Sequence, residues 1–266
     1  MMSISPFSAL AESVSPSVIQ GFVLAMLALI VIGTVVQMIH HKNVTYFFNN
    51  AKKAKLAAEK ELGVGEKTSV ILKTVVHDIA TTAEIGAGKR RVAHVMGMYG
   101  TILFWVASVV LVFGYTGTGI TAPTIWPMIW HVGAIMTCVG GYWFWLFLRV
   151  DVLAEAHPWY RIIKADLFVL TLLACATFGL ALSYTQSLNL ENRWDDKVFL
   201  ILYIISNLIL FGGVYWSKFA HMFYKQGAAI QKNLAEADGS RDNLPPLADA
   251  PKQFGLGIKR EQPKHY

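Results

Sequence analysis

The sequence predicts an all-α integral membrane protein, a bundle of five transmembrane helices with its N-terminus outside and its C-terminus cytoplasmic. Three observations predict it. Of the 266 residues, 55% are hydrophobic and 15% charged, against roughly 45–50% and 25% in soluble domains. Five apolar runs, at approximately 17–39, 94–115, 126–148, 165–185 and 197–217, each reach the roughly 20 residues that a helix needs to cross a hydrocarbon core. If these runs cross, 21 of the 23 Lys and Arg residues fall on one side, and the positive-inside rule makes that side cytoplasmic.

Residues 1–16, rich in Ser and Pro, read as a short flexible lead on the outer side. No Lys or Arg precedes the first span, so it reads as a retained helix and not as a cleavable signal peptide. It ends at His40-His41-Lys42, where the paired histidines mark the interface. The cytoplasmic loop 40–93 that follows is too long for a simple connection. Its Ala/Lys/Glu-rich part, Asn49 to Leu62, favours helix by propensity and is broken at Gly63-Val-Gly65. A second helical stretch starts near Thr68, where Val70, Ile71, Thr74, Val75, Asp78 and Ile79 return at three- and four-residue spacing. Such helices lie on the membrane surface or under a soluble partner, and His77, facing much as Lys73 does, reads as solvated or partner-facing.

The second span follows Lys89-Arg90-Arg91 and opens with His94, Gly97 and Gly100, small residues that let a neighbouring helix or a flat ring approach closely. The third span holds Trp126, Trp130 and His131 early and Trp143 and Trp145 late, tryptophans near both ends as interfacial belts require. Asp166 lies close to the cytoplasmic start of the fourth span, Asn207 is the main polar interior residue of the fifth, and Gly212-Gly213 loosen the latter's cytoplasmic half. The tail 227–266 starts helical, Ala228 to Ala237, and from Asp238 has too few large apolar residues to build a core; it is either disordered or laid along another protein. The organisation is thus a lead (1–16), a membrane domain (17–226) with the inserted loop 40–93, and a tail.

Because the basic residues gather on one face, the net charge of +6 reads as topology and attraction to membrane lipid, with no call for nucleic acid. Cys138 and Cys175 form no CxxC motif and lie inside spans, where small packing residues are expected. With no Ser/His/Asp arrangement, phosphate-binding loop or metal-finger spacing, no catalytic residue is assigned. A transporter would show broken helices or charges at mid-membrane, and the span interiors hold almost none.

The histidines are what remains. His94, at the cytoplasmic start of the second span, and His221, just past the cytoplasmic end of the fifth, share a depth. Two histidines on facing helices suit haem b; the competing reading is a pair of interfacial residues beside Arg91 and Lys218. His131, next to Trp130, lies in the outer half, as an interfacial residue, a hydrogen-bond donor to a quinone ring, or a ligand of a second haem.

Five helices, Lys89-Arg-Arg-Val-Ala-His94 at the start of the second and Lys218-Phe-Ala-His221 after the fifth, resemble the membrane cytochrome b subunits of the nitrate reductase gamma and heterodisulfide reductase type. With the C-terminal run Phe254-Gly-Leu-Gly-Ile-Lys-Arg-Glu-Gln-Pro-Lys-His-Tyr266, the chain is similar in particular to the membrane anchor associated with adenylylsulfate (APS) reductase. The resemblance implies an anchor in the bacterial cytoplasmic membrane that passes electrons between the quinone pool and a cytoplasmic iron–sulfur flavoenzyme, adenylylsulfate reductase; the alternatives are a haem-free tether for a reductase and a cytochrome b subunit of another respiratory complex. It implies haem b on the iron ligands His94 and His221, with Arg90, Arg91 and Lys218 pairing with the propionates. The family's outer histidine pair falls near Phe104 and Tyr203, which leaves one haem. His131, Trp130 and Trp126 are then the first place to look for quinone; by location and composition alone, Lys73, His77 and the tail are expected to form the docking surface.

Overall fold

A computed structural model describes residues 2–40, 42–85, 88–117, 120–150, 157–188, 194–217, 219 and 221–240, with the short pieces 253–254 and 258–259. Five helical segments in it are long and apolar enough to cross a membrane: Pro16–His40, Lys89–Gly114, Ile125–Leu148, Lys164–Ser187 and Trp194–Tyr215. Their outward faces are aliphatic, with Leu24, Val31, Ile32 and Val35 exposed on the first and Ile201, Ile205, Leu208 and Ile209 on the last. Water does not tolerate apolar surface on that scale; hydrocarbon does. The chain is a multi-pass membrane protein.

The chain divides into two compact units, one of residues 1–37 and 92–220, the other of residues 38–91 and 221–266. In the first, α1 (Ser8–Ser13) is followed by α2 (Pro16–His40), α5 (Lys89–Gly114), α6 (Ile125–Trp143), α7 (Leu167–Ser187) and α8 (Trp194–Gly212). The second holds α3 (Asn43–Leu56), α4 (Val64–Lys73) and α9 (His221–Ala237).

Residues 1–16 are not a loose lead. Phe7 is buried in the core, its ring edge-on to Trp130 at 6.2 Å, and Leu10, Ala11 and Val14 pack against the same cluster. An aromatic at position 7 gives the segment a large apolar surface to bury, which outweighs its Ser/Pro composition. The second span begins at Lys89 and not at His94: the basic cluster forms the helix's first turn, where long cationic side chains reach toward headgroups while their stems stay apolar. The third span ends in a π-helical turn, Phe144–Leu148, with the Arg149 N–H bonded to the Phe144 carbonyl five residues back. The fifth ends in a 3-10 turn, Gly213–Tyr215, at the two glycines.

Small residues decide which helices touch. A Cβ on Gly133 would lie 2.5 Å from the Phe104 nitrogen, one on Gly100 2.6 Å from that of Thr137, and one on Gly140 2.5 Å from the Ala93 carbonyl oxygen. Along this line α5 and α6 meet backbone to backbone, the close approach that small residues permit in membranes. Thr101 and Thr137 face each other in the same seam, hydroxyls 3.4 Å apart. The Leu173 side chain fills the space a Cβ on Gly141 would need, and Val214 does so at Gly33 of α2. Both cysteines are free thiols, Cys175 buried and Cys138 half-buried.

In the second unit α9 packs on α3, α4 and the π-helical segment Thr74–Ala80 that continues α4. The inserted loop and the start of the tail thus form one body. The helices sit earlier than propensity alone places them: α3 ends at Leu56, α4 starts at Val64, and α9 starts at His221. Beyond residue 240 the described pieces form a two-residue antiparallel ladder, Gln253 opposite Lys259 and Phe254 opposite Ile258.

Candidate functional site

His131 lies fully buried in the first unit. Its Nδ1 is 2.7 Å from the Pro127 carbonyl oxygen and its Nε2 2.7 Å from the Ser183 hydroxyl. A carbonyl only accepts, so Nδ1 carries hydrogen; in the neutral ring the Ser183 hydroxyl donates to Nε2. Pro127 makes the first of these bonds available, because a helical carbonyl four residues back remains reachable from a histidine ring. Trp130, one residue earlier, is also fully buried and donates from Nε1 to Ser108 Oγ at 2.9 Å, while the Ser108 hydroxyl donates to the Phe104 carbonyl oxygen. Its ring packs on Phe104 at 5.0 Å and on His131 at 4.9 Å. Trp126 is half-buried against the same cluster. These three residues come together, and the hydrogen bonds of His131 and Trp130 run to helix partners.

A cavity of about 240 Å³ opens beside them, between α1, α2, α5 and α8. Its walls are Val18, Phe22 and Met26 of α2, Trp105 and Val109 of α5, and Leu200, Ile204 and Phe211 of α8, with Phe7 and Leu10 at one side. Polar groups enter only at Ser108, Tyr203 and Asn207. The Asn207 amide donates to the Tyr203 carbonyl oxygen at 2.8 Å. From Val18 to Ile30 the α2 wall runs thirteen residues, about 18 Å over the twelve rises of 1.5 Å between them. An apolar space of that length suits a hydrocarbon chain. No histidine lines it.

The haem positions divide differently. His94 is an exposed residue of α5; of the glycines after it, a Cβ on Gly100 would meet the backbone of α6 at Thr137 and Gly133, whereas one on Gly97 meets nothing within 4 Å. Arg91 is engaged within its own loop, Nε on the Thr81 carbonyl at 2.8 Å and Nη2 on the Thr81 hydroxyl at 2.7 Å. Arg90 is half-buried in the same first helical turn. His221 begins α9; its side chain, all of Lys218, and the C-terminal run except Phe254, Ile258 and Lys259 lie outside the described residues. Among the described residues no group of three or more His, Cys, Asp or Glu could hold a metal ion.

Two polar clusters carry no signal that residue spacing alone reveals. Arg149, 1% exposed, holds Asp166 at 2.6 Å and the Arg161 carbonyl oxygen at 2.8 Å, with its guanidinium 4.0 Å from the Trp145 ring centroid. Asp166 also accepts from the Ile163 N–H at 2.9 Å. The pair ties the end of the third span to the start of the fourth. In the second unit the Asn233 amide of α9 donates to Thr74 Oγ1 at 2.8 Å and to Asp78 Oδ2 at 2.6 Å, while His77 Nδ1 lies 2.9 Å from Asp78 Oδ1. The hydrogen bonds from His77 and Asn233 hold the Asp78 carboxyl below its ordinary pKa. Lys73 is exposed nearby.

No protein family, no curated protein and no solved structure matches the chain.

Proposed function

We propose that the chain is the membrane subunit of an oxidoreductase complex: a five-helix tether that presents a folded helical platform to a water-soluble iron–sulfur flavoenzyme and guides quinone toward it. The observation that carries this reading is the second unit. Loop and tail, far apart in sequence, fold together around α9, and a body of this kind outside the spans is what a docking platform needs. Its basic residues make the platform side cytoplasmic by the positive-inside rule, which puts the N-terminus outside and suits the bacterial inner membrane. Adenylylsulfate reductase is the partner to which the resemblance points, with Lys73 and His77 on the surface it would meet.

The anchor has two versions, one with haem b on His94 and His221 and one without haem. Bound haem would supply one-electron transfer across the bundle, with His94 and His221 as the residues that would hold its iron. The groove lined by Trp105, Val109 and Phe211 suits an isoprenoid quinone better than the His131 position does, since both ring nitrogens of His131 already bond within the bundle.

The test is co-elution of purified adenylylsulfate reductase with the full chain in lipid nanodiscs, with Lys73→Glu as the weakened variant. Absence of a complex at micromolar concentration would reject the partner. A reducible b-type absorbance band that disappears in His94→Ala would select the haem-carrying form, and its absence from the purified chain the haem-free one.

A further inference from the structure

The helix α3 offers a second surface, independent of the docking reading. One side packs inward: Ala54 is buried, and Phe47, Asn50 and Ala51 are half-buried, and within this unit α3 meets α9. The other side exposes Tyr46 at 70%, Phe48 at 65% and Leu56 at 81%, interleaved with the exposed cations Lys52, Lys53 and Lys55. No acidic residue occurs in Asn43–Leu56. The helix begins three residues after the spanning helix α2 ends at His40, so its chain leaves the membrane immediately beforehand.

We infer that the exposed side of α3 is an in-plane binding surface for an anionic lipid leaflet, with phosphatidylglycerol-type headgroups as its ligand. Two physical arguments select lipid over a protein groove. A tyrosine ring with its polar edge, as at Tyr46, and lysines with long apolar stems suit the level where hydrocarbon meets headgroups, and this face holds both. Its charge is of one sign, complementary to an anionic leaflet, whose attraction for each nearby lysine amounts to about a fivefold gain in association. Phe48 and Leu56, two turns apart on one side with Lys52 between them, enter the acyl boundary while the ammonium groups remain among the phosphates.

The experiment places a nitroxide at Phe48→Cys or Leu56→Cys in the full chain, with Cys138→Ala and Cys175→Ala as background, in nanodiscs of neutral phosphatidylcholine or with added phosphatidylglycerol. Collision with oxygen reports hydrocarbon, and collision with a water-soluble nickel chelate reports solvent. The expected result is oxygen dominance at both positions in anionic nanodiscs, reduced several-fold in neutral ones and in the triple variant Lys52→Gln, Lys53→Gln, Lys55→Gln. Nickel dominance in anionic nanodiscs overturns the proposal, because the face then lies in water. Protection from both reagents overturns it as well, because a protein surface or a second copy then covers the face. The substituted lysines are all exposed, so loss of folding does not confound the readout; circular dichroism of the triple variant checks this.

Discussion

His131 and Ser183 meet at 2.7 Å, both buried, and join α6 to α7 inside the membrane-spanning unit. The ring is oriented from its other side by Pro127. Hydrogen bonds of this kind between membrane helices contribute about 0.6 kcal/mol on average and up to about 1.7. A double-mutant cycle of Ser183→Ala and His131→Ala, read by thermal unfolding in detergent, is expected to return a coupling in that range. Quinone content should not change in Ser183→Ala; if it does, His131 belongs to a ligand site after all.

The Arg149–Asp166 pair is a stronger constraint, because the guanidinium is almost wholly buried against Trp145. Removing one partner leaves the other charge buried, at a cost of about 3–5 kcal/mol. Arg149→Ala and Asp166→Ala are each expected to lower the unfolding midpoint sharply. Arg149→Lys should not rescue it, since an ammonium cannot serve Asp166 and the Arg161 carbonyl together across a planar fork.

The seam between α5 and α6 makes a paired prediction from two glycines of similar sequence context. A Cβ at Gly140 would meet the Ala93 carbonyl oxygen and the Gly97 nitrogen, whereas a Cβ at Gly97 itself meets nothing within 4 Å. Gly140→Ala is expected to force the backbones apart and destabilise the bundle by about 1–3 kcal/mol or more, and Gly97→Ala to be tolerated. The yield of monodisperse protein and its melting point separate the two; equal behaviour would contradict the backbone contact.

Asp78 sets a pH dependence for the second unit. Its folded pKa is lowered, first by the His77 hydrogen bond and then by Asn233, so the stabilisation is fully present above the ordinary carboxylate value of about 4. It is lost as pH falls through the lower folded value. Nitroxides at the exposed positions Lys67 on α4 and Lys225 on α9 should therefore show one narrow distance distribution at pH 7 and pH 5 that broadens only below about pH 4. Asp78→Asn should broaden it at neutral pH, and broadening near pH 6 would assign the control to another group.

The groove predicts where quinone is lost. Val109→Trp places an indole in the space between α2, α5 and α8, and is expected to reduce the quinone extracted with the purified protein while leaving the melting point near that of the parent. Unchanged quinone content would move the site elsewhere.

Much of the architecture is legible along the chain because a membrane span is a local property: about 20 apolar residues without charge announce themselves, and all five appear within a few residues of their expected ends. The ends themselves shift where polar residues are helical, as at Lys89, or where a helix tightens or widens at its last turn, as at Phe144–Leu148. Phe7 escapes notice because a single aromatic in a Ser/Pro-rich stretch has no period to reveal it. The site is less legible than the spans. Matched depth suggests His94 and His221 as a pair, but depth says nothing of which way a side chain faces, and the glycines that suggest room for a ring are equally what a helix backbone requires.

The five helices long and apolar enough to cross a membrane are legible in the sequence alone, because hydrophobic length needs no partner to be read. Only the tertiary structure decided that Gly100, Gly133 and Gly140 seat one helix on another, that His131 bonds to Ser183 and Arg149 to Asp166, and that loop and tail fold into one body around Asn233. The physical reason is distance along the chain. Each of these contacts joins elements whose meeting depends on packing complementarity across the fold, and no local pattern of residues encodes which neighbour will arrive.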